Sequence, residues 1–182
     1  MLLEKSFYFL RHGQTDHNAR SIIAGGKTDS PLNEHGQRQA RTLGARLTNP
    51  GFKKVVCSPM KRAMQTAQLV TTLPLLVDHD LREWEMGDFE GATYESFIKH
   101  IEFLPAHVAL PNGESKKDFY ARSIAAINKA LTDHGEDVLV VAHGGVAFAV
   151  FEALGLPGED VENAQLIYFK YHESQWHVVK LH

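Results

Sequence analysis

The stretch Asp137 to Ala142, D-V-L-V-V-A, constrains the fold more than any other part of the sequence. Its apolar residues run on without polar alternation, which marks a strand buried on both faces. A strand of that kind belongs inside a mostly parallel sheet with helices packed on each side. It passes through His143-Gly144-Gly145 into an apolar helix ending near Gly155, the strand-to-helix succession that such a sheet requires.

The rest of the chain follows the same alternation. Ser6 to Leu10 is a short apolar run entering a charged, Gly-containing segment, and residues 11 to 33 read as a long functional loop. Gly36, Ala40, Leu43 and Leu47 share one face of a helix predicted over Glu34 to Thr48, with Asn33 as N-cap. Lys53 to Cys57 is a second strand stopped by Ser58-Pro59, and Met60, Ala63, Met64, Ala67 and Val70 mark the helix after that proline. Leu75 to Asp78 is a short strand leading to an acidic loop over 80 to 91. Pro105 and Pro111 break residues 92 to 113 into one or two short helices, and a longer helix spans about Ser115 to Thr132. Gln165 to Tyr171 and Trp176 to Leu181 flank Glu173-Ser174 as a terminal strand pair. The expected fold is α/β, a three-layer α/β/α sandwich around a mostly parallel central sheet.

Composition narrows the class of partner. A chain of 182 residues with 43% apolar and 23% charged residues is expected to form one globular domain. No apolar run approaches the roughly 20 residues of a membrane span, and Glu4 and Lys5 interrupt any signal-peptide layout. The single Cys57 excludes an internal disulfide and a Cys-based zinc cluster, and fits a reducing cytoplasmic compartment. Nineteen basic against 22 acidic residues leave a net charge of -3, which argues against a nucleic-acid or membrane surface as partner. Residues 1 to 50 nevertheless carry seven basic and four acidic groups, so a local cationic site for a small anion fits.

Three strand-to-loop junctions carry unusual residues: Leu10 into Arg11-His12-Gly13, Cys57 into Ser58-Pro59 with Arg62 on the next helix, and Ala142 into His143-Gly144-Gly145. Ligands of open parallel sheets bind beyond the carboxyl ends of the strands, where these junctions would meet. Two arginines match phosphate oxygens, and Gly144-Gly145 would present backbone N–H groups at a helix N-terminus. The ligand so implied is a phosphoryl group, on a small phosphorylated substrate.

Arg11-His12-Gly13-Gln14-Thr15 with Asn18, Ser58-Pro59 with Arg62, Ala63, Gln65 and Thr66, Leu81, Glu83, Gly87, Glu90 and Gly91, and His143-Gly144-Gly145 occur in that order. Together they resemble the histidine phosphatase, or phosphoglycerate mutase-like, superfamily. The resemblance implies metal-free phosphoryl transfer without a cofactor, through a phosphohistidine on His12. It implies catalytic roles for His12, Glu83, His143, Arg11 and Arg62, with Glu83 as proton donor and a cationic His143 holding a phosphoryl oxygen. Phosphate or substrate contacts are expected from Arg11, Asn18, Gln14, Thr15, Ser58, Arg62, His143 and Gly144; Gln14, Thr15 and Ser58 fit caps and turns equally well. His172, His177 and His182 lack the spacing and company of a metal site and read as surface residues. Trp84 and Phe89 either line the substrate entrance or pack their loop.

Between Glu83 and His143 lie 59 residues, similar to the shorter phosphatase branch, and Asn112-Gly113-Glu114-Ser115 resembles a turn of that branch. Residues 92 to 117 are expected to form a lid rich in apolar and aromatic side chains, ill suited to clamp a carboxylate. The expected activity is hydrolysis of small phosphomonoesters by a monomer or homodimer. The alternatives are a cofactor-dependent phosphoglycerate mutase and a non-catalytic phospho-ligand binding module.

Overall fold

Six strands pair into one mixed sheet in the order β3-β2-β4-β1-β5-β6. They are β1 (Phe7–Arg11), β2 (Lys54–Cys57), β3 (Leu75–Val77), β4 (Val138–Ala142), β5 (Leu166–His172) and β6 (Gln175–Leu181). The computed structural model describes residues 1–47, 51–135 and 137–181. Pairings among β3, β2, β4 and β1 are parallel, whereas β5 runs antiparallel to both β1 and β6. The α/β sandwich with a mostly parallel centre therefore gains a two-stranded antiparallel edge.

Alternation along the strands builds the two outer layers. Phe7 and Phe9 of β1, Val140 and Ala142 of β4 and Phe169 of β5 point into one core. That core is closed by α5 (Lys116–His134) and α6 (Gly144–Ala153), through Phe119, Ile127, Val146 and Val150. Leu10, Leu139, Val141 and Leu166 point the other way, onto α2 (Glu34–Arg46) and α3 (Lys61–Val70). Every residue of β4 is buried because it lies between two strands and under helices on both faces. Truncating a ring such as Phe9, fully enclosed, to alanine should cost about 3–5 kcal/mol.

Small residues set the helix spacings. A Cβ on Gly44 of α2 would stand 2.7 Å from the Leu69 carbonyl of α3, so these helices approach at a glycine. Asn33 caps α2 by accepting the Gly36 N–H at 2.8 Å, and Ser115 caps α5 by accepting the Asp118 N–H.

Several boundaries differ from the sequence reading. The segment 11 to 33 contains a short helix, α1 (Asp16–Ala19), closed by a reciprocal cap between Thr15 and Asn18. Residues 92 to 113 hold one helix, α4 (Tyr94–Ile101), since the stretch between Pro105 and Pro111 is too short for another. The helix expected to reach Thr48 ends at Arg46, and Thr48 itself lies outside the described residues. The turn joining β5 to β6 places Glu173 and Ser174 at φ 51° and 60°. Left-handed backbone costs an L-residue about 1–2 kcal/mol, and the flanking strand pairing over seven registered positions imposes it. Among the described residues no helix is long and apolar enough to cross a membrane.

Candidate active site

β2, β4 and β1 are adjacent, so their carboxyl ends bring Ser58, His143 and His12 side by side. The Ser58 N–H donates to the Val141 carbonyl and the His12 N–H to the Ala142 carbonyl, extending the ladder one step into the site. The His12 and His143 rings lie 5.2 Å apart between centroids, both buried.

The proton on each ring follows from its partner. The Nδ1–H of His12 donates to the Gly13 carbonyl at 2.7 Å, and because a carbonyl can only accept, the lone pair lies on Nε2. At His143 the Arg62 Nε–H donates to Nδ1 at 3.3 Å, which leaves Nε2–H to donate to the Ser58 hydroxyl at 2.8 Å. Both rings are held well below the ordinary histidine pKa, first by burial and then by the charge of Arg62. His143 is therefore neutral in the protein's own field, and cationic character there would have to come with a phosphate dianion.

Gly13 admits no side chain, because a Cβ would meet the Gly36 carbonyl at 2.7 Å. Its N–H donates to Thr66 Oγ1 at 2.9 Å, and the Thr66 hydroxyl donates to the Arg62 carbonyl. The loop carrying His12 is thus pinned between α2 and α3.

Arg62, 1% exposed, donates to His143 and to the carbonyls of Ala24, Gly25 and Thr28. Arg11 donates Nη1 to the Val161 carbonyl, while its Nε is buried with no protein partner. A Cβ on Gly144 would lie 3.5 Å from the Arg11 guanidinium, so the arginine covers the start of α6. An orphaned N–H of a cation at a strand end is a place for an anion.

Asn18 adds a donor. Its Oδ1 accepts from the Thr15 N–H, the Thr15 hydroxyl and Asn163 Nδ2. The amide is thereby oriented with Nδ2 free to face the cavity that Asn18 helps line. Gln14 and Thr15, candidates for substrate contact, are instead engaged in the scaffold: Gln14 with Asn33 and Gln39, Thr15 with the cap of α1. Ser58 holds His143, and Gly145 donates its N–H to Glu83 Oε2 at 3.1 Å rather than leaving it open.

Glu83 is 8% exposed, with Oε1 accepting from the Trp84 N–H at 2.9 Å. It borders a cavity of about 990 Å³ together with Arg11, Asn18, Gly144 and the aromatic groups Trp84, Tyr94, Phe97 and Phe119. Trp84 stacks on Phe119, whereas Phe89 packs against Phe97 and His100 outside the cavity wall. A second cavity of about 700 Å³ beside α5 and α6 contains neither histidine nor arginine. Among the described residues no three of His, Cys, Asp and Glu are grouped to hold a metal ion; His172 and His177 lie on the terminal hairpin, and His182 lies outside those residues.

Reading the sequence alone sees Glu114 only as part of a turn and passes over Arg122; the two form a partly buried ion pair at 2.5 Å behind Glu83. The available signal was an arginine three positions after the buried Phe119 on α5.

Residues 7–182 match the family model described as histidine phosphatase superfamily (branch 1). The chain is 32% identical over 180 residues to the uncharacterized phosphatase PhoE of Bacillus subtilis, covering 93% of this chain and 90% of that one. It is 35% identical over 189 residues to agropine synthesis reductase of Rhizobium rhizogenes; there it covers 97% of its own length but spans 41% of that longer protein. The structure aligns with that of mycobacterial glucosyl-3-phosphoglycerate phosphatase in complex with VO3 at a TM-score of 0.81 and 30% identity, over 97% of this chain and 98% of the other. With paired histidines at adjacent strand ends and a family model spanning nearly the whole chain, the protein belongs to branch 1 of the histidine phosphatase superfamily and is a phosphatase- or mutase-like enzyme.

Proposed function

We propose that the protein hydrolyses small phosphomonoesters through a phosphohistidine on His12. The observation that carries this reading is the His12 hydrogen bond to the Gly13 carbonyl, which leaves the Nε2 lone pair on a ring kept neutral by burial and two arginines. In the first step Nε2 attacks phosphorus, the P–N bond forms and the ester P–O bond breaks, and Glu83 delivers a proton to the departing oxygen. The Nδ1–H of the phosphorylated ring keeps the Gly13 carbonyl as its acceptor, which stabilises the positive charge it acquires. In the second step water attacks phosphorus, its proton passes to the Glu83 carboxylate, and the P–N bond breaks to return neutral His12. Arg11, Arg62 and Asn18 Nδ2 balance charge on the equatorial oxygens, work done by a metal ion in other phosphoryl-transfer sites.

The cavity favours hydrolysis of bulky or partly apolar esters over mutase chemistry on phosphoglycerates. Its wall from residues 92 to 117, the proposed lid, supplies Tyr94, Phe97, Ile98 and Leu104, while its lysine, Lys116, is paired with Glu152 at 2.8 Å. A cationic clamp for a substrate carboxylate has no second member there.

Rapid acid quench with labelled substrate is expected to trap acid-labile, alkali-stable phosphate on the wild type and none on His12→Ala. Label on Ser58, or turnover retained in His12→Ala, would sink the assignment. Mutase turnover exceeding hydrolysis, with 2,3-bisphosphoglycerate present, would make the enzyme a mutase instead.

A further inference from the structure

The loop that carries Glu83 lies between two short 3-10 turns, His79–Leu81 and Gly87–Phe89, and belongs to no helix or strand. Yet the general acid must stay within hydrogen-bonding reach of the leaving oxygen, where an ångström of displacement can cost about 100-fold in rate. Something outside the loop must set its position.

Arg122 of α5 does so with all its donors. Nη1 donates to the carbonyls of Asp80 and Arg82, at 2.7 and 2.8 Å. Nη2 donates to the Glu83 carbonyl at 3.0 Å and to Glu114 Oε1, and Nε donates to Glu114 Oε2 at 3.1 Å. Five hydrogen bonds thus match the five N–H groups of a guanidinium. Glu114 continues the clamp from the other side. Its Oε1 accepts the Glu85 N–H, its carbonyl accepts the Trp84 indole N–H, and its own N–H donates to the Glu85 carbonyl. The guanidinium also lies over the Phe119 ring at 4.9 Å, and that ring stacks on Trp84.

We infer that Arg122, acting with Glu114, is the positioning residue that sets the Glu83 carboxylate at the leaving-group oxygen. The inference rests on the phosphatase reading above and adds a named device to it. Stability alone accounts poorly for the arrangement, since ion pairs contribute little when exposed and can often be replaced by apolar residues when buried, and this one lies between those limits. Here three of the five donors go to backbone carbonyls at and beside Glu83, and lysine, with three donors and no planar fork, could not reproduce that pattern.

The test measures single-turnover phosphorylation by an alkyl phosphate and by p-nitrophenyl phosphate in Arg122→Lys, Arg122→Gln and the near-isosteric Glu114→Gln. The alkyl ester, whose leaving group needs a proton, should slow by about 10-fold or more, and the aryl ester by less than about 3-fold. In a Glu83→Gln background the same substitutions should add almost no further loss on the alkyl ester. Should the arginine variants fail to fold, Glu114→Gln reads the same leaving-group split. Equal losses on both esters, or losses that multiply with that of Glu83→Gln, would overturn the positioning role while leaving the phosphatase reading intact. A wild type that transfers phosphoryl from neither ester would overturn both.

Discussion

At His12 the proton lies on Nδ1 and at His143 on Nε2, so neighbouring rings of the same chemistry present different atoms to the site. One carries an available lone pair; the other is held between an arginine and a hydroxyl. Cys57 ends the strand between Ser58 and the core, but burial pushes its thiol up to about 12, which removes it as a nucleophile. In the proposed mechanism the proton transfer falls to Glu83. Glu83→Gln keeps the size and one acceptor but cannot pass a proton, so steady-state hydrolysis of alkyl phosphates should fall by roughly 100-fold or more, and formation of the phosphoenzyme from aryl phosphates much less. An equal fall in phosphoenzyme formation from both esters would mean that Glu83 orients substrate instead. His12, Ser58 and His143 are legible as candidates because they directly follow strand ends within motifs, whereas Glu83, in a loop of acidic residues, stands out only through its motif. Gln14 and Thr15 stand in the motif of His12 and are bound into the turn and cap around it, a distinction that depends on where Asn33 and Asn18 fold back. Arg122 and Glu114 meet only when the end of the 92 to 117 segment folds back onto the Glu83 loop, a contact that no motif announces.

Elements meet at the site through residues chosen for what they lack. The α6 N-terminus approaches Glu83 so closely that a Cβ on Gly145 would stand 2.2 Å from Glu83 Oε1 and 3.0 Å from the Phe119 ring. Helix propensity favours alanine over glycine by about 1 kcal/mol, so Gly145→Ala should leave the helix formed while pushing the carboxylate off its N–H donor. We expect retained far-UV circular dichroism and a loss of about 100-fold in alkyl phosphate turnover; wild-type turnover would show that Glu83 tolerates the shift. β4 and its following helix were readable because an uninterrupted apolar run has few alternatives. By contrast, α1 is four residues long, too short for periodicity, and rests on the Thr15 and Asn18 cap. The β5–β6 turn uses Glu173 and Ser174 in a left-handed conformation normally signalled by Asn or Gly, so its strands were legible and its turn type was not.

For the whole molecule, two buried histidines held neutral tie stability to pH. In the folded protein His12 and His143 resist protonation, whereas in the unfolded chain both take up protons below the ordinary value of 6.5. The unfolded state then binds more protons, and stability falls as the pH drops from 6.5 towards the depressed folded values. Each ring contributes a slope of up to about 1.4 kcal/mol per pH unit in that window. Above 6.5 both rings are neutral in either state and the contribution is complete. Between pH 7.5 and 5.5, urea unfolding should therefore show stability falling as the pH drops, in part from this pair. The double variant His12→Asn, His143→Asn should lack that part of the slope, and an unchanged slope would mean that the rings are not held neutral. Activity should run the other way across the same window. A His12 that stays neutral in acid keeps its nucleophile, so kcat/KM should persist below pH 6.5 while the fold that supports it loses stability, and an acid limb centred at 6.5 would contradict the depressed His12.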